Sequence, residues 1–251
     1  MHSDYAGAVF TSQGPTFREL TVQALSSIER GYDLLAPKFD HTPFRTPDRF
    51  LDAVADTLSP LGPFDVGLDI CCGTGAGLRA LRPLCRERVT GVDFSAGMLA
   101  AAREAAAGAE ESATVEWVRA DVRALPFRQD FDLAVSFGAF GHFLPSERPG
   151  LFAGVHRALR PGGVFAFPIG APQRFSSPLY WSLLGFDWVM RVRNVLWRPQ
   201  FVMYYRTFPL QGVRDDLQRA GFTVELHPLE KFGRRADGSP NWRLIVARRA
   251  E

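Results

Sequence analysis

The stretch GLDICCGTGAGL, Gly67 to Leu78, sets four glycines and two adjacent cysteines behind a short apolar run. Glycines between a strand and a helix let the backbone approach a ligand closely. Three occupants compete for such a turn: the phosphates of a dinucleotide, a metal or redox centre, or a small cofactor without phosphate. A dinucleotide turn needs Gly-x-Gly-x-x-Gly. Counted from Gly73 and Gly75 the third glycine falls on Leu78, and counted from Gly75 and Gly77 it falls on Ala80. Neither frame fits. Cys71 and Cys72 are neighbours without a nearby histidine or second cysteine pair, and do not easily face one tetrahedral ion. They read as small buried residues of a tight loop, and no metal is expected.

Outward from the turn, apolar runs alternate with helical patterns, the mark of a parallel sheet wrapped by helices. Strands are predicted at Val66–Ile70, Val89–Val92, Val115–Arg119, Leu133–Phe137 and Val164–Pro168, then at FTVELHP and WRLIVARR, seven in all, the last pair an antiparallel hairpin. Leu78, Leu81 and Leu84 share a helical face, as do Met98, Leu99 and Ala102, then Phe152, Val155 and Leu159. The Pro161-Gly162-Gly163 run is expected to stop that last helix. Val213, Leu217 and Ala220 mark another helix, closed by Gly221. Upstream, Phe17, Leu20, Ala24 and Ile28 predict one helical face, and Thr46-Pro47 an N-cap with a first-turn proline. Within residues 172–210, aromatics rise to a quarter, twice the 12% of the whole chain.

The bulk numbers exclude little but set the class. At 251 residues, 46% apolar and 22% charged, the chain is of ordinary globular composition. A net charge of +2 does not by itself argue for nucleic acid, and the arginine pairs at 234–235 and 248–249 read as solvated surface. No apolar run reaches the ~18 residues of a membrane span. The first residues lack the basic and apolar regions of a secretory signal, and three cysteines make no disulfide framework. The expected location is the cytoplasm, with neither nucleic acid nor membrane as partner.

Three acids favour the phosphate-free cofactor. Asp93 lies 20 residues past Gly73, directly after the second strand, where a carboxylate accepts both hydroxyls of a ribose. Asp121 follows the third strand, where a carboxylate accepts from an adenine amine. Asp69 ends the first strand, placed for a cationic amino group. Ribose, adenine and amino acid are thus addressed separately, the shape of S-adenosylmethionine. With LDICCGTGAGL, GVDFSAGML, ADVRALPF, FDLAVSFGAFGHF and LRPGGVFAF in this order, the chain resembles the class I, seven-stranded S-adenosylmethionine-dependent methyltransferases, from about Tyr32 to the final strand.

The resemblance implies an α/β three-layer sandwich: a seven-stranded, mostly parallel sheet with its last strand antiparallel, a helical N-terminal cap and an aromatic-rich lid insertion after strand 5. It implies one domain over 1–251, divided into the cap (1–60), cofactor core (61–171), lid (172–210) and C-terminal helix and hairpin (211–251). Tyr32 and Phe39, in YDLLAPKFD, match a segment whose aromatic closes over the cofactor. Cys71, Cys72, Gly73, Gly75 and Met98 are carried over as cofactor contacts, Phe94 and Val122 as the adenine sandwich, and Ser136, Phe137 and Gly138 as the methionine cradle. Trp181, Trp188, Tyr204 and Tyr205 are the expected acceptor contacts. His142 is either bonded to backbone at a helix start or a general base.

The implied reaction is in-line methyl transfer to a small apolar or aromatic metabolite, by a monomer or homodimer; the alternative is a non-methylating cyclase or regulator on the same fold. Cys71 replaces the family's usual first glycine. A Cys-Cys variant occurs in quinone C-methyltransferases, but FGAFGHF stands where those enzymes carry Gly-x-Arg-Asn, so a quinone acceptor is a minor expectation.

Overall fold

Val164 and Ala166 pack into one apolar core while their neighbours Phe165 and Phe167 pack into another, so the strand they share is buried on both faces. This computed structural model describes residues 13–42, 44–107, 113–204, 206 and 208–251. The strands are β1 (Phe64–Ile70), β2 (Cys85–Asp93), β3 (Thr114–Arg119), β4 (Phe131–Val135), β5 (Leu159–Gly170), β6 (Phe222–Pro228) and β7 (Trp242–Arg249). They form one sheet in the order β3-β2-β1-β4-β5-β7-β6. Pairing is parallel from β3 to β5, and β7 runs antiparallel to both β5 and β6.

Helices α1 (Phe17–Leu25), α2 (Ile28–Leu35) and α3 (Asp48–Leu58) precede the sheet. Helices α4 (Ala76–Leu81), α5 (Ala96–Ala106) and α6 (Arg148–Ala158) connect strands, and α7 (Pro178–Leu196) and α8 (Leu210–Arg219) lie between β5 and β6. One core joins the sheet to α6 and α8 through Phe152, Val155, Val213 and Leu217. The other joins it to α3, α4 and α5 through Val54, Leu58, Leu81 and Leu99. These are the three layers and seven strands expected.

Several boundaries differ from expectation. The face from Phe17 to Ile28 is broken, because Ser27 accepts from the Arg30 amide and starts a separate helix. Pro47, not Thr46, stands at the N-cap of α3. The Pro-Gly-Gly run does not stop α6, which ends at Ala158. Arg160 precedes a proline and so disfavours helix, and the run forms an irregularity inside β5, with Gly162 at φ 77°. Strand β4 ends at Val135, two residues early, releasing Ser136–Gly138 into the loop that faces the site.

The order reverses at β1. Chain connections leave β1 towards β2 and β3 on one side and towards β4 and β5 on the other, which opens a crevice at the strand ends. Asp69 and Ile70 of β1, Asp93 of β2 and Val135 of β4 end there side by side.

Candidate functional site: a cradle at the carboxyl ends of β1, β2 and β4

Between β1 and α4 the chain turns through left-handed backbone at three residues: Cys71 (φ 57°), Gly73 (φ 54°) and Gly75 (φ 88°). Such values suit glycine, so Cys71 holds a conformation that costs a side-chain-bearing residue roughly 1–2 kcal/mol. The Cys72 amide donates to the Val92 carbonyl (2.9 Å), fastening the turn to β2. A Cβ added at Gly73 would meet nothing within 4 Å, so open space lies against the turn.

Asp93 is buried and is aimed by two backbone donors: the Gly73 amide bonds Oδ2 (2.9 Å) and the Ser95 amide bonds Oδ1 (2.9 Å). Burial pushes its pKa up, against the pull of these amides. Asp69 is 1% exposed, and neither of its carboxylate oxygens has a hydrogen-bond partner. Its pKa is raised well above the usual carboxylate range by burial first and by the Asp93 charge second. A Cβ at Gly77 would lie 2.3 Å from Asp69 Oδ2 and 2.7 Å from a Phe137 ring carbon, so only glycine lets both side chains reach this corner.

An orphaned buried carboxylate beside left-handed turns suits a ligand carrying a cationic amine, and S-adenosylmethionine has one. Asp93 retains lone pairs beyond the two amides it accepts from, as a ribose diol requires. The residues present therefore fit that cofactor. Burial, with the Asp69 and Asp93 charges, raises the thiol pKa of Cys71 and Cys72. Among the described residues no group of His, Cys, Asp and Glu could hold a metal.

Ser136 is buried, its hydroxyl donating to the Ile70 carbonyl (3.0 Å). Gly138 is left-handed (φ 73°), and Met98 and Val122 are buried. Phe94 is half-buried, with its carbonyl accepting from Arg119 (3.1 Å). Asp121 caps the turn Val122–Ala124 through the Arg123 amide (2.9 Å) and pairs with the Arg123 guanidinium (3.3 Å).

Residues 32–40 fasten the N-terminal helices to the cradle at three points. The Tyr32 hydroxyl lies 2.7 Å from His142 Nε2. Asp33 Oδ1 accepts from the Ser95 hydroxyl (2.6 Å) and the Gly97 amide (2.8 Å). Asp40 accepts from the Thr74 hydroxyl (2.6 Å) inside the glycine turn. Phe39 stands edge-tilted against Tyr32, centroids 6.2 Å apart. The aromatics of this segment are legible in the sequence and its acids are not, since a carboxylate that bonds a distant loop carries no local signal.

His142 closes the turn Ala139–His142. Its Nδ1 lies 2.8 Å from the Val202 carbonyl, which only accepts, so Nδ1 carries the proton and Nε2 accepts from Tyr32. Burial lowers its pKa, keeping the ring neutral. His142 is thus bonded to backbone through Nδ1, but at the end of a turn and not at a helix start, and its Nε2 meets a side chain.

Tyr204 is buried. Its amide donates to the Gly141 carbonyl (2.7 Å) and its hydroxyl accepts from Asn194 (2.9 Å). Trp181 and Trp188 are 61% and 64% exposed on α7. Tyr205 falls outside the described residues.

Known proteins carry the same pattern. The family described as methyltransferase domain matches residues 68–163. A 2-phytyl-1,4-naphtoquinone methyltransferase of Nostoc punctiforme is 30% identical over 175 residues, 65% of this chain and 74% of that protein. Its counterpart in a Nostoc species is 36% identical over 101 residues, and there the match spans only 44% of the relative's length and 39% of this chain. Among solved structures, a methyltransferase from Methanosarcina mazei superposes with a TM-score of 0.57 at 21% identity, covering 75% of this chain and 94% of that one. Fold, crevice and relatives agree, and the chain belongs to the class I S-adenosylmethionine-dependent methyltransferases.

Proposed function

We propose that this protein transfers a methyl group from S-adenosylmethionine to a small apolar or aromatic acceptor by in-line displacement. The observation that carries the reading is the buried, partnerless Asp69 carboxylate at the open glycine turn, with Asp93 aimed beside it. When bound, the cofactor supplies a methyl group on a positively charged sulfur. Asp69 would hold the amino group, Asp93 the ribose hydroxyls and Asp121 the adenine amine, with Phe94 and Val122 as its apolar neighbours. Ser136, Phe137 and Gly138 would support the methionine portion, and Tyr32 and Phe39 would cover it. What the residues contribute is alignment and exclusion of water, and alignment of this kind is worth roughly 7–11 kcal/mol.

His142 positions rather than takes a proton, because both of its ring nitrogens are already bonded. It ties Tyr32 of α2 and Val202, in the stretch between α7 and α8, to the turn after β4. The acceptor end lies on the Tyr204 side of this lock, where Met190, Phe201, Val202 and Tyr204 form an apolar cluster. An apolar acceptor also agrees with relatives named for a phytyl naphthoquinone. Three free cysteines accord with a cytoplasmic location.

The test is release of S-adenosylhomocysteine by the full chain with a panel of prenylated naphthoquinones, simple phenols and trans-aconitate. Release with the aromatic members is expected. Cofactor binding with no release on any member, or turnover confined to tRNA or protein, would overturn the proposal.

A further inference from the structure

Helix α7 is amphipathic in the reverse sense. Its buried positions include Asp187 and Asn194 beside Met190, while Trp188, Val189, Val192, Val195 and Leu196 point to solvent. Val195 and Leu196 are 81% and 78% exposed, values foreign to a core-facing residue. The exposed large apolar side chains of the described residues fall in two stretches only, 17–44 in the cap and 175–197 in the insertion. Arg193 ties the two stretches by donating to the Ser26 carbonyl (3.2 Å).

Within the sequence of this stretch the charge has one sign. From Gln173 to Val213 the sequence holds five arginines and a single acid, Asp187, which is buried. Arg191 and Arg198 are exposed among the outward apolar residues. A net charge of only +2 for the whole chain makes this a local concentration.

We propose that α7 with its flanking arginines is a docking face for a bilayer surface bearing anionic headgroups. Tryptophan sits well at the level of lipid headgroups, and arginine extends its apolar stem along the surface while its head meets phosphate. The helix lies on the bilayer and does not cross it, since no helix among the described residues is long and apolar enough to span. The expectation of no membrane partner rested on the lack of a spanning run, which does not bear on a helix lying flat. A second copy is the poorer occupant. A two-fold contact would set Arg191 and Arg198 against their own copies, with no exposed acid on the helix to answer them.

The face is also connected to the cradle. Asn194 holds the Phe201 carbonyl (3.0 Å) and the Tyr204 hydroxyl, and the next residue, Val202, holds His142. A docked α7 therefore places the acceptor end one layer from the bilayer. The docking itself is independent of methyl transfer.

The test is cosedimentation of the full chain, without cofactor, with vesicles of equal phosphatidylcholine and phosphatidylglycerol, and with phosphatidylcholine alone. Binding to the charged vesicles that weakens with salt is expected. The Arg191→Gln, Arg198→Gln pair should weaken it about 25-fold, roughly fivefold per charge. Trp188→Ser with Leu196→Ser should weaken it at least ~10-fold, with circular dichroism unchanged in both pairs. The proposal is overturned by no binding to charged vesicles, by equal binding to neutral ones that is insensitive to the arginine changes, or by a dimer in sedimentation that Trp188→Ser dissolves.

Discussion

Replacing Tyr32 with Phe removes one oxygen from the join between α2 and the turn after β4. The hydroxyl is the partner of His142 Nε2 at 2.7 Å, and the other ring nitrogen is already committed to Val202. Phenylalanine keeps the ring contact, centroids 5.2 Å apart and edge-on, but leaves a buried acceptor without a donor. That costs about 1–3 kcal/mol, more than the ~1 kcal/mol net worth of an ordinary hydrogen bond. For a chain of this size, a loss near ~2 kcal/mol lowers Tm by roughly 4–8 °C. Because the bond joins α2 to the turn after β4, the same loss favours release of α2 from the cradle. Cofactor affinity should fall by roughly 5- to 150-fold, while kcat at saturating cofactor stays within a fewfold of wild type. The assays are thermal melts, calorimetric titration with S-adenosylhomocysteine, and steady-state kinetics. His142→Gln should follow the same pattern. If His142 instead takes the acceptor's proton, His142→Gln would lower kcat by about 10²–10⁴ at unchanged cofactor affinity. That result, or an unshifted Tm in Tyr32→Phe, would refute the reasoning.

Three further outcomes follow from the cradle. Asp69→Asn should weaken cofactor binding while raising Tm at neutral pH. The folded-state pKa of Asp69 lies above its unfolded value, so its stabilising share is full below pH ~4 and is lost as pH rises through the folded pKa. The Tm gain of the variant should therefore vanish near pH 4, as melts across pH would reveal. Gly77→Ala should displace the Asp69 carboxylate, given the 2.3 Å approach. It should cost about 1–3 kcal/mol in stability and at least tenfold in cofactor affinity by calorimetry; an unchanged affinity would mean that Asp69 does not face the ligand. The thiols should resist iodoacetamide at pH 8 until the protein unfolds. Burial and nearby acids hold Cys71 and Cys72 well above the ordinary thiol range, and burial pushes Cys85 up to about 12; mass spectrometry of native and urea-treated protein would count them.

The sheet and the crevice were legible in local pattern. Strands buried on both faces read as unbroken apolar runs, so Val89–Val92 and Val164–Pro168 were legible without partners. Asp69, Gly73 and Asp93 declare themselves because a ligand turn must fall at the ends of adjacent strands. Ends of elements were less legible: a serine pair divided an apparently continuous helix, and a Pro-Gly-Gly run became a bulge instead of a stop.

The partners of the long-range polar groups come from packing. Nothing near Asp33 or Asp40 in the chain shows that one bonds Ser95 and Gly97 and the other Thr74. The environment of His142 comes from residues 110 positions before it and 60 after it. Composition marked the aromatic insertion as important but could not orient it. Helical spacing is symmetric between inside and outside, and here the polar Asp187 and Asn194 turned inward while Trp188 was left in water. Local pattern reports which residues share a face; only packing decides which face is covered.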